Sequence, residues 1–574
     1  MRVSDGRGLA SWLVTRDDAT LAALLAARGV PASTGWDDFF DVAEGLLDAS
    51  SIDRALVALD RDALHALAGA SASASVTRRL AALALVDDAG APYAPVGARV
   101  ALLAAQHPDA FTASLPEVPA SPPDDRGAAA AAEHVFAAAG SLADVLLACA
   151  TTPLTRTGSG AISAVDRKRL IEAGAVHTGE ELDDHLAVAT ACGLLHAGER
   201  VWTLTDAGEA WLASSTPHRW ARIARGWRAA LPEGMLTAEG GFRDPTSWPA
   251  AYPLDPEWPA VADRHRRTAG RWGILDPAGR TPAWAAGLRG GGEPDPEQLA
   301  RLLPAEIDRV YLQADLTAIA PGPLAPALDL RLRRMAVRES RAQASTYRFT
   351  AGSVSGGIIA GETAESMRAF LRELSLTGIP QPLDYLIEST ASRHGLVKVV
   401  EDAATGRTRV DSPDPGLLAA LSVDQVLRPL GLVESGGALL SRVARDAVYW
   451  SLVDARYPVV ALDGGGEPEE LHRRAAGVSS ARLTTPLETY RDLILRLREG
   501  HGADGDAAWL ARELEQAVRA RSEIVVVVRM PDGSERSLTV EAAGLGGGRL
   551  RGRDRTADIE RTLPVSSIVS VRPA

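Results

Sequence analysis

The sequence predicts a multidomain chain, mainly α with α+β parts. The N-terminal half is winged-helix-like, an α+β domain follows, and a small β-barrel closes the chain. Three observations predict this. The 574 residues exceed what one core holds, at roughly 100–200 residues per domain. Apolar residues recur at helical spacing through the first 230 positions. From residue 523 the pattern changes to strands, in "EIVVVVRMPDGSERSLTVEAAGL" and "RLRGRDR".

Residues 1–111 read as a helical, winged-helix-like domain. "GLASWLVTRDDATLAALLAARGV" carries two helices, with Asp17 and Asp18 where an N-cap belongs. Short helices continue to residue 106, and "LVDDAGAPYAPV" (85–96) has the turn of a small β-wing. Residues 112–128 are rich in Pro, Ser and Ala and read as a linker. Residues 129–230 repeat the theme. Helix "EELDDHLAVATAC", strand "LLHAG", turn "GER", strand "VWTLT" and helix "DAGEAWLA" form a second winged-helix-like domain, with Thr205 or Asp206 as an N-cap. Residues 231–300 read as an irregular connector dotted with Trp248, Trp258, Trp272 and Trp284.

Residues 301–465 form the α+β domain. "YLQADLTAIAPGPL" (311–324) is a strand that meets a Pro-Gly-Pro stop, and a helix is expected over 324–340. "STYRFT" is a strand, and "DYLIESTASRHG" is a helix that Gly395 closes. "LVKVVED" and "RTRVDS" make a hairpin. A helical segment covers 466–521. Residues 522–574 are the β domain, with a hairpin across Asp532–Gly533.

Charge and composition exclude several classes. The net charge is −13, so the chain as a whole is no basic nucleic-acid coat, although a local basic patch is compatible with it. The cations are arginines apart from Lys168 and Lys398, as a GC-rich coding bias produces. The two cysteines, Cys149 and Cys192, sit in apolar helical surroundings and suit a reducing compartment. No signal peptide is expected at the N-terminus, and apolar runs such as "AALALV" are too short to span a bilayer, which takes ~20 residues. A cytoplasmic or nucleoid-associated protein without a membrane partner is expected.

Catalytic motifs are missing. Neither lysine completes GxxxxGK[ST], and Pro321 and Pro323 remove the N–H donors that a phosphate cradle uses, so "PGPL" reads as the start of a helix. "GLGGGRLRG" lies between strands and does not open a helix, as a dinucleotide site requires. His177, His185 and His196 lack HExxH or paired Cys/His spacing. The chain is expected not to be an enzyme, with no catalytic residue, no cofactor and no metal.

The basic stretches offer more. In "RLRRMAVRESR", Arg331, Arg334, Arg338 and Arg341 share one face of the expected helix. "DRHRRTAGRW" (263–272) is a second cluster. In "RLRGRDR", Arg549, Arg551, Arg553 and Arg555 alternate, which puts them on one side of a strand. Each is either a solvated face or a surface for phosphates or an acidic partner.

"VYLQADLTAIAPGPLAPAL", "STYRFT" and "FLRELSLTGIPQPLDYLIESTASRHGLVKV" together resemble the helicase-associated domain similar to the N-terminal domain of XPB-type DNA helicases. Actinobacterial stand-alone proteins of that family also carry a helical region like "SIDRALVALDRDALHAL" (51–67). The C-terminal sheet resembles a degenerate WYL domain, a small Sm-like β-barrel, with Arg549, Leu550 and Arg551 where that family has Trp-Tyr-Leu. The resemblance implies a non-enzymatic accessory of an XPB-type helicase in DNA repair or genome maintenance, with DNA as a partner. Two alternatives stay open: a winged-helix transcription regulator with a C-terminal sensor, and a helicase-docking scaffold that binds no DNA.

Overall fold

The computed structural model describes residues 3–111, 115, 123–341, 344–402, 405–455, 457–466, 469, 471, 485–500, 505–530, 533–554, 557 and 559–573. The chain is multidomain, helical with several separate sheets.

The first unit contains α1 (Val3–Val14), α2 (Asp18–Ala27), α3 (Phe39–Leu47), α4 (Ala49–Val57), α5 (Arg61–Leu67), α6 (Ala74–Ala82), α7 (Ala94–Gln106) and α8 (Pro108–Phe111). Asp17 caps α2 by accepting from the Thr20 N–H at 2.7 Å. The expected wing after α6 is a single bridge, Val86 to Pro92.

Next come α9 (Asp125–Thr151), β1 (Leu154–Thr155), α10 (Ala164–Glu172), α11 (Gly179–Ala191), β2 (Leu195–Ala197), β3 (Val201–Leu204), α12 (Asp206–Ala213) and α13 (Thr216–Ala229). The three strands pair in the order β1-β3-β2. Thr205 is the N-cap of α12, accepting from the Gly208 N–H at 3.0 Å. Residue 191 ends α11, and Gly193 at φ +68° lets the chain reverse into β2.

The expected linker overlaps the start of α9. Among the described residues α9 alone is long and apolar enough to cross a membrane, a length the sequence reading missed. Here its buried face lies in a protein core with Leu182, Trp202, Trp211 and Trp220.

The stretch read as a connector carries α14 (Trp258–Arg271), α15 (Ala286–Arg289) and α16 (Pro296–Ala300). Its four tryptophans are buried in the same core as α9 to α13. Three of the four indoles, those of Trp248, Trp258 and Trp284, donate to main-chain carbonyls, while the buried Trp272 N–H has no hydrogen-bond partner among the described residues. Trp258 donates to the Trp248 carbonyl at 2.7 Å, and Trp284 donates to that of Gly273 at 3.0 Å. A stretch poor in regular structure therefore packs through large aromatics.

The α+β region has two sheets. The first is made by β4 (Tyr311–Leu312), β5 (Thr317–Ala320), then α17 (Pro326–Met335), β6 (Val337–Arg341) and β7 (Ser345–Arg348), in the order β4-β5-β7-β6. Against it lie α18 (Ala351–Ile359), α19 (Ala364–Leu374) and α20 (Gln381–Arg393). The second sheet combines β8 (Val397–Asp402), β9 (Arg407–Asp411), α21 (Pro415–Val423), β10 (Val433–Ser435), β11 (Ala438–Ser441), α22 (Arg445–Asp454) and β12 (Val459–Ala461), in the order β10-β11-β9-β8-β12. Gly395 at φ +78° ends α20 as expected.

Then α23 (Pro486–Gly500) returns to the first unit. Its Tyr490, Leu493, Ile494 and Leu497 are buried in the core of α1 to α7. Helix α24 (Gly505–Ala520) leads to β13 (Glu523–Arg529), β14 (Glu535–Gly546), β15 (Arg549–Asp554), β16 (Ile559–Pro564) and β17 (Ile568–Pro573). These strands are antiparallel in the order β16-β15-β14-β13-β17. Leu514 and Ala517 of α24 pack on one face of the sheet. Among the described residues no ladder joins β16 to β17 into a closed barrel.

Candidate nucleic-acid interface

The three basic stretches meet three different fates. The first does not lie on one helix. Helix α17 stops at Met335, and residues 337–341 form β6, which pairs with β7. β-branched Val337 and the alternating polar run after it suit an edge strand better than another helical turn. The expected shared face of Arg331, Arg334, Arg338 and Arg341 is therefore absent.

Two of these arginines are engaged inside the protein. Arg331 donates to both oxygens of the buried Glu362, at 2.7 and 3.0 Å, and its guanidinium lies 4.5 Å from the Phe370 ring centroid. The Arg331 guanidinium holds the Glu362 carboxyl below its ordinary value. Arg338 binds both oxygens of Asp144 on α9, and Arg333 adds a bond to the same carboxylate at 2.7 Å. This fork brackets the α17–β6 region onto α9. Arg334 is exposed, and the Arg341 side chain lies outside the described residues. The sequence reading missed Asp144. Its signal is a lone carboxylate in the apolar run "SLADVLLACA".

The second stretch lies on α14 and is paired in part, with Arg264 left exposed. Arg267 pairs with Glu180 at 3.0 Å, Arg271 with Asp184 at 3.2 Å, and Arg266 with Asp263 at 2.6 Å. Helix α11 buries Leu182, Asp184, His185, Leu186, Val188 and Ala189. Its exposed positions include Glu180 and Asp183 and no Arg or Lys, so this face offers no cation to a phosphate. His185 is fully buried, 3.6 Å from Glu181 and edge-on to Trp272. Burial pushes it below its ordinary value, so it is neutral at pH 7. The His185 ring, the His177 N–H and Arg271 hold the Glu181 carboxyl down at about 2. Among the described residues no group of three or more His, Cys, Asp or Glu is placed to hold a metal ion.

The third stretch has the predicted alternation. Along β15, Arg549, Arg551 and Arg553 are exposed while Leu550, Gly552 and Asp554 are buried. Arg555 lies outside the described residues. Across the sheet, Arg549 stands between Gly546 and Pro564, and Arg551 between Gly544 and Thr562. Arg553 stands between Glu541 and Glu560. The row thus begins on a shelf with small neighbours and ends between two acids. Gly547 at φ +58° and Gly548 at φ +71° form the tight turn into β15, which is the role of "GLGGGRLRG". On the inner face, Asp554 accepts from Arg561 Nε at 2.7 Å, which fixes the end of β15.

The "YLQADLTAIAPGPL" stretch is a hairpin followed by a helix. Leu316 takes φ +66° at its turn. The Pro323 carbonyl accepts from the Ile307 N–H at 2.9 Å, and the Ala325 N–H donates to the Ile307 carbonyl at 2.8 Å. The end of the segment thus pairs through an isolated bridge with Ile307 and leads into α17.

Residues 310–435, less than a quarter of the chain, match the helicase conserved C-terminal domain family. The match runs from the first strand of that hairpin through β10, so this region is helicase-associated. No curated protein matches the chain.

Proposed function

We propose that this chain is a non-enzymatic accessory protein of an XPB-type helicase that contacts DNA through its C-terminal sheet, in repair or genome maintenance. The observation that carries the reading is the exposed row Arg549, Arg551 and Arg553 in a chain that also holds a helicase-type domain. The order of α24 followed by five antiparallel strands supports the WYL-like, Sm-like reading of this unit. The β1-β3-β2 sheet supports a winged-helix ancestry for residues 129–230. With α11 buried, that unit serves as a platform onto which the α+β region docks through Asp144. The sequence has no nucleotide-binding lysine motif, which supports a role beside a motor.

The scaffold reading has its own support. The net charge is −13, and two of the three arginine clusters are largely spent on internal carboxylates. Fluorescence anisotropy with duplex, forked and single-stranded DNA at low and moderate salt separates the two. The accessory reading expects binding that weakens as salt rises. No binding to any of the three at low salt would sink it, and co-purification with the helicase would then support the scaffold.

A further inference from the structure

We infer that the β15 arginine row takes the phosphate backbone of one strand of a duplex, not the bases of single-stranded nucleic acid. This rests on the DNA-contacting reading above and names the substrate class of that site. Three observations carry it.

Successive exposed residues of a strand are about 6.7 Å apart, comparable with the spacing of neighbouring phosphates along one nucleic-acid strand. Arg549, Arg551 and Arg553 follow this spacing on a strand whose other face is anchored by Leu550 in the core against α24. The row is therefore stiff and suits a stiff partner. Duplex DNA has a persistence length of about 150 bp, so its phosphates are already ordered.

No Phe, Trp, Tyr or His occurs anywhere in residues 522–574. Proteins that hold single strands stack bases on aromatic side chains, at about 1–3 kcal/mol per base. This sheet has no such ring, so a flexible single strand would be ordered here without that return.

The surroundings set the direction of approach. Gly544 and Gly546 flank Arg551 and Arg549, and a Cβ at either glycine would meet nothing within 4 Å. A backbone can therefore lie close to the sheet at the Arg549 end. Glu541 and Glu560 beside Arg553 repel phosphate at the other end and limit the row to two or three contacts. Two or three contacts predict a slope of log affinity against log salt of about −2 to −3, or about a 10- to 40-fold loss between 50 and 200 mM salt. No base sequence should be preferred.

The test uses the full chain and three probes of equal length: a mixed-sequence duplex, a second duplex of different sequence, and oligo-dT. Arg549→Ala/Arg551→Ala is compared with the parent and with Arg519→Ala on α24, a solvent-facing control on another element (84 % exposed). The expected result is equal affinity for the two duplexes, weaker binding of oligo-dT, and a slope shallower by about 2 in the double variant but not in the control. Tighter binding of oligo-dT, with the double variant still weakened, overturns the duplex assignment and leaves the DNA reading standing. Duplex binding that the double variant keeps in full overturns the row as the contact. Absence of binding to every probe at low salt overturns the proposed function itself. Circular dichroism of the double variant guards against misfolding, and Arg549→Lys/Arg551→Lys, which keeps the charge, should retain most of the slope.

Discussion

At the scale of single residues, two positions separate backbone from packing. Gly193 ends α11 at φ +68°, and a Cβ there would meet nothing within 4 Å. Gly193→Ala therefore tests backbone strain alone and should cost about 1 kcal/mol in denaturant unfolding. At Gly226 a Cβ would fall 2.2 Å from Cys192 Sγ, so Gly226→Ala should overpack the core and cost about 1–3 kcal/mol. If Gly193→Ala proved the costlier of the two, this distinction would be wrong. His185 supplies a pH signature. Burial holds its pKa below the ordinary 6.5, so the folded chain binds fewer protons there than the unfolded chain. Stability linked to this group is present above pH 6.5 and is lost as pH falls. Glu181, held at about 2, acts with the same sign at lower pH: its contribution is present above the ordinary 4.5 and is lost as pH falls toward 2. The urea midpoint should therefore drop between about pH 7 and pH 5. His185→Gln should flatten that drop, leaving a remainder from the half-buried His265 and His394, which desolvation also pushes down. An identical drop in the variant would rule out His185 as its source.

At the scale of elements, a helix, a bridged turn or short hairpin, and another helix recur. The unit appears as α6 to α7, as α11 to α12, and as α20 to α21. Ala84, Gly193 and Gly395 take positive φ just past the first helix of each. Such units bury one face each and must dock on neighbours; between other elements, a polar bracket joins α17 and β6 to α9. Asp144 accepts from Arg333 and Arg338 in a site only 8 % exposed at the carboxylate. Removing the acid strands two largely buried guanidiniums. Asp144→Ala should lower stability by roughly 3–5 kcal/mol and speed proteolysis between α16 and β4. An unchanged midpoint with unchanged proteolysis would mean that the bracket holds nothing together.

At the scale of the whole molecule, α23 ties the far end of the chain to its beginning. Tyr490 donates to the Val30 carbonyl at 2.5 Å, and Arg498 donates to the Val14 carbonyl at 2.8 Å. Leu493 is 1 % exposed in that core. Leu493→Ala should cost about 2–5 kcal/mol and raise hydrogen exchange in α2, more than 450 residues away in sequence. Loss of protection confined to α23 would show that the first unit is complete without it.

The sequence by itself determined what is local. The caps at Asp17 and Thr205, the close of α20 at Gly395, the β8–β9 hairpin and the alternation along β15 all follow from a few neighbouring residues. These features depend on φ preferences, side-chain hydrogen bonds within a turn and the period of a strand, and each is complete within about ten residues. The end of α17 at Met335 was not legible, because helix and edge strand compete there over an arginine-rich run that suits both, and pairing with β7 decides between them. The packing of the 231–300 stretch was hidden because tryptophans among prolines show no period. Which arginines remain available was decided only by tertiary structure. Arg331, Arg333 and Arg338 look as cationic in the sequence as Arg549 and Arg551, yet the carboxylates they hydrogen-bond lie 31, 189 and 194 residues away. A charge is available for a partner only when the fold brings no opposite charge to it, and that is a property of the packed chain rather than of the run in which the arginine stands.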